Sequence, residues 1–210
     1  MKLVGGDLCL DFVNTVGGRT PTGAASGGSR VLADKLVGYE DLVAWSRHTE
    51  SVGEAEARRL ARLAEDRPRE AAGVLGRALA FREALHRTLR ALMRARRPER
   101  ADLLRLNAEI ASARGGEVLA PVGGRLRWEW PDAGGRLDSP LWPVSRAAAA
   151  LLTSGDLSRL RECGGEQCGW LFLDRSRNRS RQWCTMGDCG NLSKVRRFRR
   201  KHRPMSRFKI

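Results

Sequence analysis

The first two thirds of the chain carry apolar residues at spacings of three and four, the period of an amphipathic helix. Leu36, Tyr39, Leu42 and Trp45 follow this spacing behind Asp34, whose side chain can cap a helix. The pattern predicts a helix from Asp34 onwards and four more, over residues 54–65, 70–96, 98–115 and 143–153. A mainly α-helical N-terminal domain is therefore expected.

The period changes to two between residues 117 and 130. Leu126, Trp128 and Trp130 alternate with charged residues, as they do in a β-strand. Gly123-Gly124 supplies a tight turn, which makes residues 118–122 the partner strand of a small hairpin. The alternation leaves open whether the two tryptophans belong to the core or to an interface.

The first thirty residues combine a short apolar segment, GDLCLDFVNTV, with a loop at Gly17–Arg30 that is rich in small residues. The loop is expected to be flexible, and it lacks the Gly-Lys-Ser/Thr of a phosphate-binding P-loop. Asp7 and Asp11 interrupt the apolar run, which argues against a signal peptide. Because no apolar stretch approaches the roughly 18 residues of a membrane span, we expect a cytoplasmic protein without membrane contact.

Four polar residues of this region have two interpretations. They could line a pocket for a small-molecule effector, as a sensing domain would require. Alternatively, Asn14 and Thr15 turn the backbone while Asp11 pairs with an arginine, and this structural interpretation is favoured. The residues are Asp11, Asn14, Thr15 and Arg19.

Charge is distributed unevenly along the chain. The 210 residues carry a net charge of +15. Residues 161–210 contain fourteen lysines and arginines against four acidic residues, a net charge of +10 within a quarter of the chain. A composition biased toward Arg, Ala and Gly explains part of the surplus elsewhere, but not the loss of acidic residues here. This asymmetry favours a polyanionic partner.

Four of the five cysteines are clustered. Cys163 and Cys168 form one C-x4-C pair, and Cys184 and Cys189 form another after fifteen residues. Two close pairs joined by a short spacer are typical of a zinc site, and four thiolates complete a tetrahedral shell without an open position for catalysis. One structural zinc ion is expected, with two disulfides or an iron–sulfur cluster as alternatives. Cys9 lies in the apolar run and is expected to be a buried small hydrophobe.

The spacer and the tail predict a treble-clef-like order of elements. A cysteine knuckle is followed by a β-hairpin, in which residues 170–173 form a short strand and residues 174–181 a polar turn that leads back to Cys184. Residues 192–202 form a helix that Pro204 ends. Leu192, Val195 and Phe198 share one side of this helix, which is expected to pack against Trp170 and Trp183. Residues 158–210 would thus form the finger and residues 1–157 the helical domain.

The basic residues of the turn and the helix are the candidate nucleic-acid contacts, because Lys and Arg neutralise phosphates and release counterions. They are Arg175, Arg177, Arg179, Arg181, Lys194, Arg196, Arg197, Arg200 and Lys201. Double-stranded DNA is the expected partner. An RNA-binding module, with tryptophans that stack on bases, and a zinc-held protein-docking surface are the alternatives.

Catalytic motifs are not found in the sequence. The three histidines His48, His86 and His202 form no triad or metal-ligand pattern, and no dinucleotide or hydrolase signature is present. A protein that binds rather than catalyses is expected. An enzyme that uses Asp11 and Asn14 is the weakest alternative.

The run from Cys163 to Asn191 resembles the CGNR zinc finger, and GDLCLDFVNTV resembles the start of the ABATE domain. The resemblance implies a bacterial, stress-induced transcription regulator with a helical domain that senses a ligand or dimerises. It also implies that the four clustered cysteines bind zinc and that the finger binds DNA. The sequence departs from the family at Leu192, where the family has Arg, which puts one phosphate contact in doubt. The target site, the effector, the oligomeric state and the direction of regulation are left open.

Overall fold

The computed structural model describes residues 1–21, 29–31, 33–131 and 133–202. The helices are α1 Leu8–Val13, α2 Tyr39–His48, α3 Glu54–Asp66, α4 Pro68–Met93, α5 Arg100–Arg114, α6 Leu141–Ser154 and α7 Asn191–Lys201. The strands are β1 Arg19–Pro21, β2 Ser29–Val31, β3 Val118–Val122, β4 Arg125–Glu129, β5 Leu160–Glu162 and β6 Leu171–Leu173. They form three separate two-stranded antiparallel sheets. The predicted class, a mainly helical domain with a small hairpin followed by a four-cysteine finger, is confirmed.

The short helix α1 lies at the centre of the helical domain. Asp7 caps it by accepting a hydrogen bond from the Cys9 N–H at 3.0 Å. The Phe12 ring is fully buried, with its centroid 5.3 Å from Trp45 and 6.0 Å from Phe81. Cys9 is buried among these apolar side chains, as predicted. Helices α2, α4 and α6 therefore share one core with α1.

Two expectations for the N-terminal third were wrong. Gly17–Arg30 is not wholly a loop, because Arg19–Pro21 pairs with Ser29–Val31, with Thr20 opposite Arg30; residues 22–28 lie outside the described part. Asp34 does not begin a helix: α2 starts at Tyr39, where the Asp41 carboxylate accepts the Gly38 N–H at 2.9 Å.

The predicted hairpin is present. Gly123 and Gly124 have φ of +57° and +77°, the two left-handed conformations of a type I′ turn. Trp130 packs inward, since its indole N–H donates to the Ala113 carbonyl at 2.7 Å and its ring lies 6.0 Å from that of Trp142. Trp128 is half exposed, so the two tryptophans that the sequence left undecided have different environments.

The finger is built around the β5–β6 pair, in which Arg161 lies opposite Phe172. The strand predicted at residues 170–173 is therefore correct, but its partner precedes the first cysteine pair instead of following the arginine turn. A single π-helical turn, Met186–Gly190, leads into α7. In the described part of the chain, no helix combines the length and apolarity needed to cross a membrane.

Candidate metal centre and nucleic-acid interface

The four clustered cysteines converge at the start of the finger. Their Sγ atoms all lie within 4.8 Å of one another, with 3.7 Å between Cys168 and Cys184 and 3.5 Å between Cys184 and Cys189. A tetrahedral zinc with Zn–S bonds of about 2.3 Å requires sulfur separations of roughly 3.8 Å. The donor set and its spacing therefore fit one zinc ion.

Glycines give the first cysteine pair its tight turn. Gly169 has φ of +63°, and a Cβ there would lie 2.8 Å from the Cβ of Arg19. A Cβ on Gly165 would lie 3.0 Å from Cys189 Sγ. Cys163 Sγ accepts the Cys184 N–H at 3.2 Å, which joins the two pairs directly. Side chains at the two glycines would push the knuckle away from its neighbours.

A buried carboxylate, which was not among the residues predicted from the sequence, organises the arginine turn. Asp174 is fully buried and accepts hydrogen bonds from the N–H groups of Ser176 and Arg181, each at 2.9 Å. The Ser176 hydroxyl donates to it as well. An Asp followed by Ser two positions later is a signal for such a side-chain-stabilised turn.

Two of the four turn arginines are bound to the N-terminal segment. The Arg181 guanidinium donates to the carbonyls of Val4 and Cys184 and stacks 4.1 Å from the Phe172 ring centroid. These contacts give Arg181 a structural role within the finger, and its predicted nucleic-acid contact remains a prediction. Arg175 is exposed but donates to the Gly6 carbonyl at 2.7 Å.

The other two turn arginines are available to a partner to different degrees. Arg177 is exposed and has no ion pair within the described residues. Arg179 is exposed with φ of +50° and lies 4.0 Å from the carboxylate of Asp156. The turn therefore offers about half of the phosphate contacts that its sequence suggests.

The described side chains of helix α7 are largely exposed. Leu192, Val195 and Phe198 are 56%, 46% and 63% exposed, so the expectation that they pack on Trp170 and Trp183 was wrong. Ser193 is half buried instead. The small core around Phe172 already contains Val4 from the N-terminal segment, together with both tryptophans. This occupied core explains why the apolar stripe of α7 stays outside.

The basic side chains of α7 are largely free of acidic partners. Lys194, Arg197 and Arg200 are exposed and form no ion pair in the described part of the chain. Arg199, which the sequence analysis omitted, has the same environment. Arg196 pairs with Glu166 at 2.9 Å between exposed side chains. The Lys201 side chain and Pro204 lie outside the described residues.

The polar N-terminal residues make structural contacts rather than a shared pocket. Asp11 accepts the N–H groups of Val4 and Gly5, both at 2.8 Å, and burial raises the pKa of its carboxyl group. The side chain of Asn14 is paired with the backbone of Leu171: its amide donates to the carbonyl at 2.8 Å, and its oxygen accepts the N–H at 2.9 Å. The favoured structural interpretation is therefore supported, although Asp11 pairs with backbone groups and not with an arginine.

Thr15 and Arg19 belong to a buried charge network. Arg19 is bidentate to Glu83, at 2.5 and 2.9 Å. Arg82 is bidentate to Asp34, at 2.8 and 2.5 Å, and also contacts Glu83 and the Thr15 hydroxyl. Burial alone would raise the pKa of the Asp34 and Glu83 carboxyl groups, but their contacts with the arginines outweigh it and lower both pKa values. These hydrogen bonds and ion pairs attach the N-terminal segment to α4.

The sequence comparisons agree with this architecture. The model of the CGNR zinc finger matches residues 159–202, and the ABATE model, described as "Putative stress-induced transcription regulator", matches residues 6–155. No curated protein matches the chain. The cysteine geometry and the finger match together show that Cys163, Cys168, Cys184 and Cys189 hold one structural zinc ion. Because its match spans most of the chain, the protein belongs to the ABATE family and carries a CGNR zinc finger.

Proposed function

We propose that this zinc-finger protein is a regulator of transcription that binds double-stranded DNA through α7 and the adjoining arginine turn. The observation that carries the proposal is the environment of α7. This eleven-residue helix contains six Lys and Arg residues and no acidic residue, and its described side chains are largely exposed. An exposed basic helix of this size suits the phosphates of a DNA groove.

The zinc site gives the proposal its mechanism. Cys189, the last zinc ligand, is separated from the start of α7 by Gly190 alone. The metal therefore fixes the direction in which α7 leaves the finger, and the zinc-free protein should lose this orientation. The proposal assigns no catalytic step to any residue.

The first test is selection of random duplex DNA by the zinc-loaded protein at near-physiological salt. Enrichment of one sequence is expected if α7 reads base edges, and a palindromic site would indicate a dimer. Binding that enriches no sequence and vanishes as salt rises would reduce the proposal to phosphate contact. Equal affinity of zinc-free and zinc-loaded protein would contradict it.

A matched pair of variants tests the role of α7. Lys194→Ala/Arg197→Ala removes two exposed charges that do not border the zinc site, and Arg62→Ala/Arg105→Ala removes two from the exposed surface of α3 and α5. The α7 variant should reduce the slope of log affinity against log salt by about 2, roughly one for each lost phosphate contact. The control should keep the wild-type slope, and both variants should keep their zinc.

A protein partner is the second candidate, and the exposed stripe of Leu192, Val195 and Phe198 favours it. Exposed apolar side chains at helical spacing are the usual anchors of a helix that docks in a groove. Binding of a protein that is lost in Phe198→Ser but survives charge reversal at Arg197 and Arg200 would support this candidate over DNA.

A further inference from the structure

A cavity of about 470 Å³ opens beside the zinc ligands, between the N-terminal segment, the cysteine knuckle and α7. Cys168 and Cys189 line it. The other two ligands, Cys163 and Cys184, are only 5% and 3% exposed and lie away from it. Small reagents can therefore reach two of the four sulfurs from one side.

Hydrogen bonding separates the buried sulfurs from the accessible ones. Cys163 Sγ, which does not line the cavity, accepts the Cys184 N–H at 3.2 Å. Among the described residues, no backbone N–H donates to the sulfur of Cys168 or Cys189. A hydrogen bond stabilises a thiolate and reduces its nucleophilicity. The two ligands that line the cavity therefore lack this protection, and the space beside each sulfur distinguishes them.

The walls of the cavity leave Cys189 open to attack. Gly165 lies against its sulfur, where a Cβ would approach to 3.0 Å, so that only a glycine leaves this space free. Glu166, Arg196 and Arg200 also line the cavity, and Arg196 pairs with Glu166 at 2.9 Å. Two arginines and one glutamate leave the cavity with a net positive charge, which favours the release of an anionic leaving group.

We propose that Cys189 is an oxidation site for hydroperoxides. Its thiolate attacks the peroxide oxygen, which breaks the O–O bond and releases hydroxide or alkoxide, and Cys189 becomes a sulfenic acid. A neighbouring thiolate then attacks the Cys189 sulfur and expels hydroxide. Cys168 can supply this thiolate, because it lines the same cavity. Two thiolates and one hydroperoxide become one disulfide, and the two electrons reduce the peroxide. The metal site loses two of its four ligands.

The consequence for α7 follows from its attachment, and this step rests on the proposed function. Cys189 directly precedes the Gly190–Asn191 junction, and the described side chains of α7 are exposed apart from the half-buried Ser193. Oxidation at Cys189 therefore releases the helix from its fixed direction. DNA affinity should fall, and it should return when a reductant and zinc are added together.

The test uses the full-length, zinc-loaded protein and hydrogen peroxide. Zinc release is followed with a chromogenic chelator, and disulfides are mapped by peptide mass spectrometry at partial reaction. We expect one disulfide for each zinc released, with Cys189 in that bond, while Cys9, which is fully buried, stays reduced. A disulfide that lacks Cys189, or oxidation of Cys9 before zinc is released, would overturn the proposal. The mapping is decisive even if the protein binds no DNA.

Gly165→Ala and Gly187→Ala form the matched pair for this site. The first places a methyl group against Cys189 Sγ, whereas a Cβ on Gly187 meets no atom within 4 Å. Zinc release from Gly165→Ala should be several-fold slower than from Gly187→Ala and the wild type. Equal rates in two zinc-loaded variants would contradict the assignment of Cys189, and if Gly165→Ala fails to bind zinc, the wild-type disulfide map decides.

Discussion

Replacement of Asn14 by alanine tests how the helical domain is joined to the finger. The Asn14 side chain is 3% exposed and forms two hydrogen bonds with the backbone of Leu171, one as donor and one as acceptor. Leu171 is itself fully buried in β6. Alanine removes both the donor and the acceptor of the Asn14 side chain. The Leu171 N–H and carbonyl are then left without a side-chain partner at position 14.

The cost can be estimated from the two groups left without partners. Each buried polar group without a hydrogen bond costs about 1–3 kcal/mol, so that Asn14→Ala should lower the free energy of unfolding by about 2–6 kcal/mol. For a protein of this size, a loss of about 3 kcal/mol lowers Tm by roughly 6–12 °C. The loss of hydrogen-exchange protection should be greatest at β6, because the broken hydrogen bonds are located there.

The assay is urea unfolding of the zinc-loaded protein, with hydrogen exchange to locate the loss. Asn107→Ala is the matched control, because Asn107 is exposed on α5 and forms no side-chain hydrogen bond with the described residues; its unfolding free energy should change by less than about 0.5 kcal/mol. A loss in Asn14→Ala no larger than that of the control would contradict this expected cost, since it would mean that water replaces the lost bonds at Leu171.

Three further predictions concern charge and metal. The carboxyl groups of Asp34 and Glu83 have lowered pKa values in the folded protein, so their contribution to stability is present above the unfolded pKa values of about 4 and is lost as pH falls through the folded values. Asp34→Asn/Glu83→Gln should weaken the pH dependence of the unfolding free energy below about pH 5. Zinc removal by a chelator should lower hydrogen-exchange protection around the four cysteines and in α7 but leave most of the helical circular dichroism and the protection of β6, since the hydrogen bonds that join β6 to the N-terminal segment do not involve the metal. Arg181→Ala should lower Tm through its lost carbonyl and Phe172 contacts, whereas Arg177→Ala should leave Tm unchanged in the same thermal scan.

The sequence predicted those features that depend on a long or specific local pattern. The spacing of Val74, Ala78, Phe81 and Leu85 extends over many turns of α4, and their burial follows from it. The Gly123-Gly124 turn required two left-handed residues, which only glycine adopts easily. Two C-x4-C pairs fixed the metal site for a similar reason, because few arrangements bring four thiolates together.

Features set by distant contacts could not be predicted in this way. Helix α1 has six residues, too few for a reliable period, and the buried surroundings of Phe12 stabilise it. Asp34 has the sequence environment of a helix cap, but its carboxylate is bound by Arg82, 48 positions further on. The stripe of α7 is apolar on a helical wheel, yet Val4 occupies the small core that it was expected to cover.

The two ends of the finger differ in how they are attached, and this difference determines which end can respond to chemistry at the metal. Strand β6 is bound to the N-terminal segment by the Asn14 pair and by a hydrogen bond of 2.8 Å from the Leu173 N–H to the Gly5 carbonyl. The Trp170 indole N–H adds another, at 2.7 Å, to the Val16 carbonyl. These bonds remain if zinc is lost. Helix α7 has no comparable set of hydrogen bonds to the rest of the described chain, and its ion pair from Arg196 to Glu166 joins two exposed side chains. Its direction therefore depends mainly on Cys189 and on the turn that precedes it. Loss of one sulfur ligand can therefore move the basic helix while the β5–β6 pair stays against the helical domain.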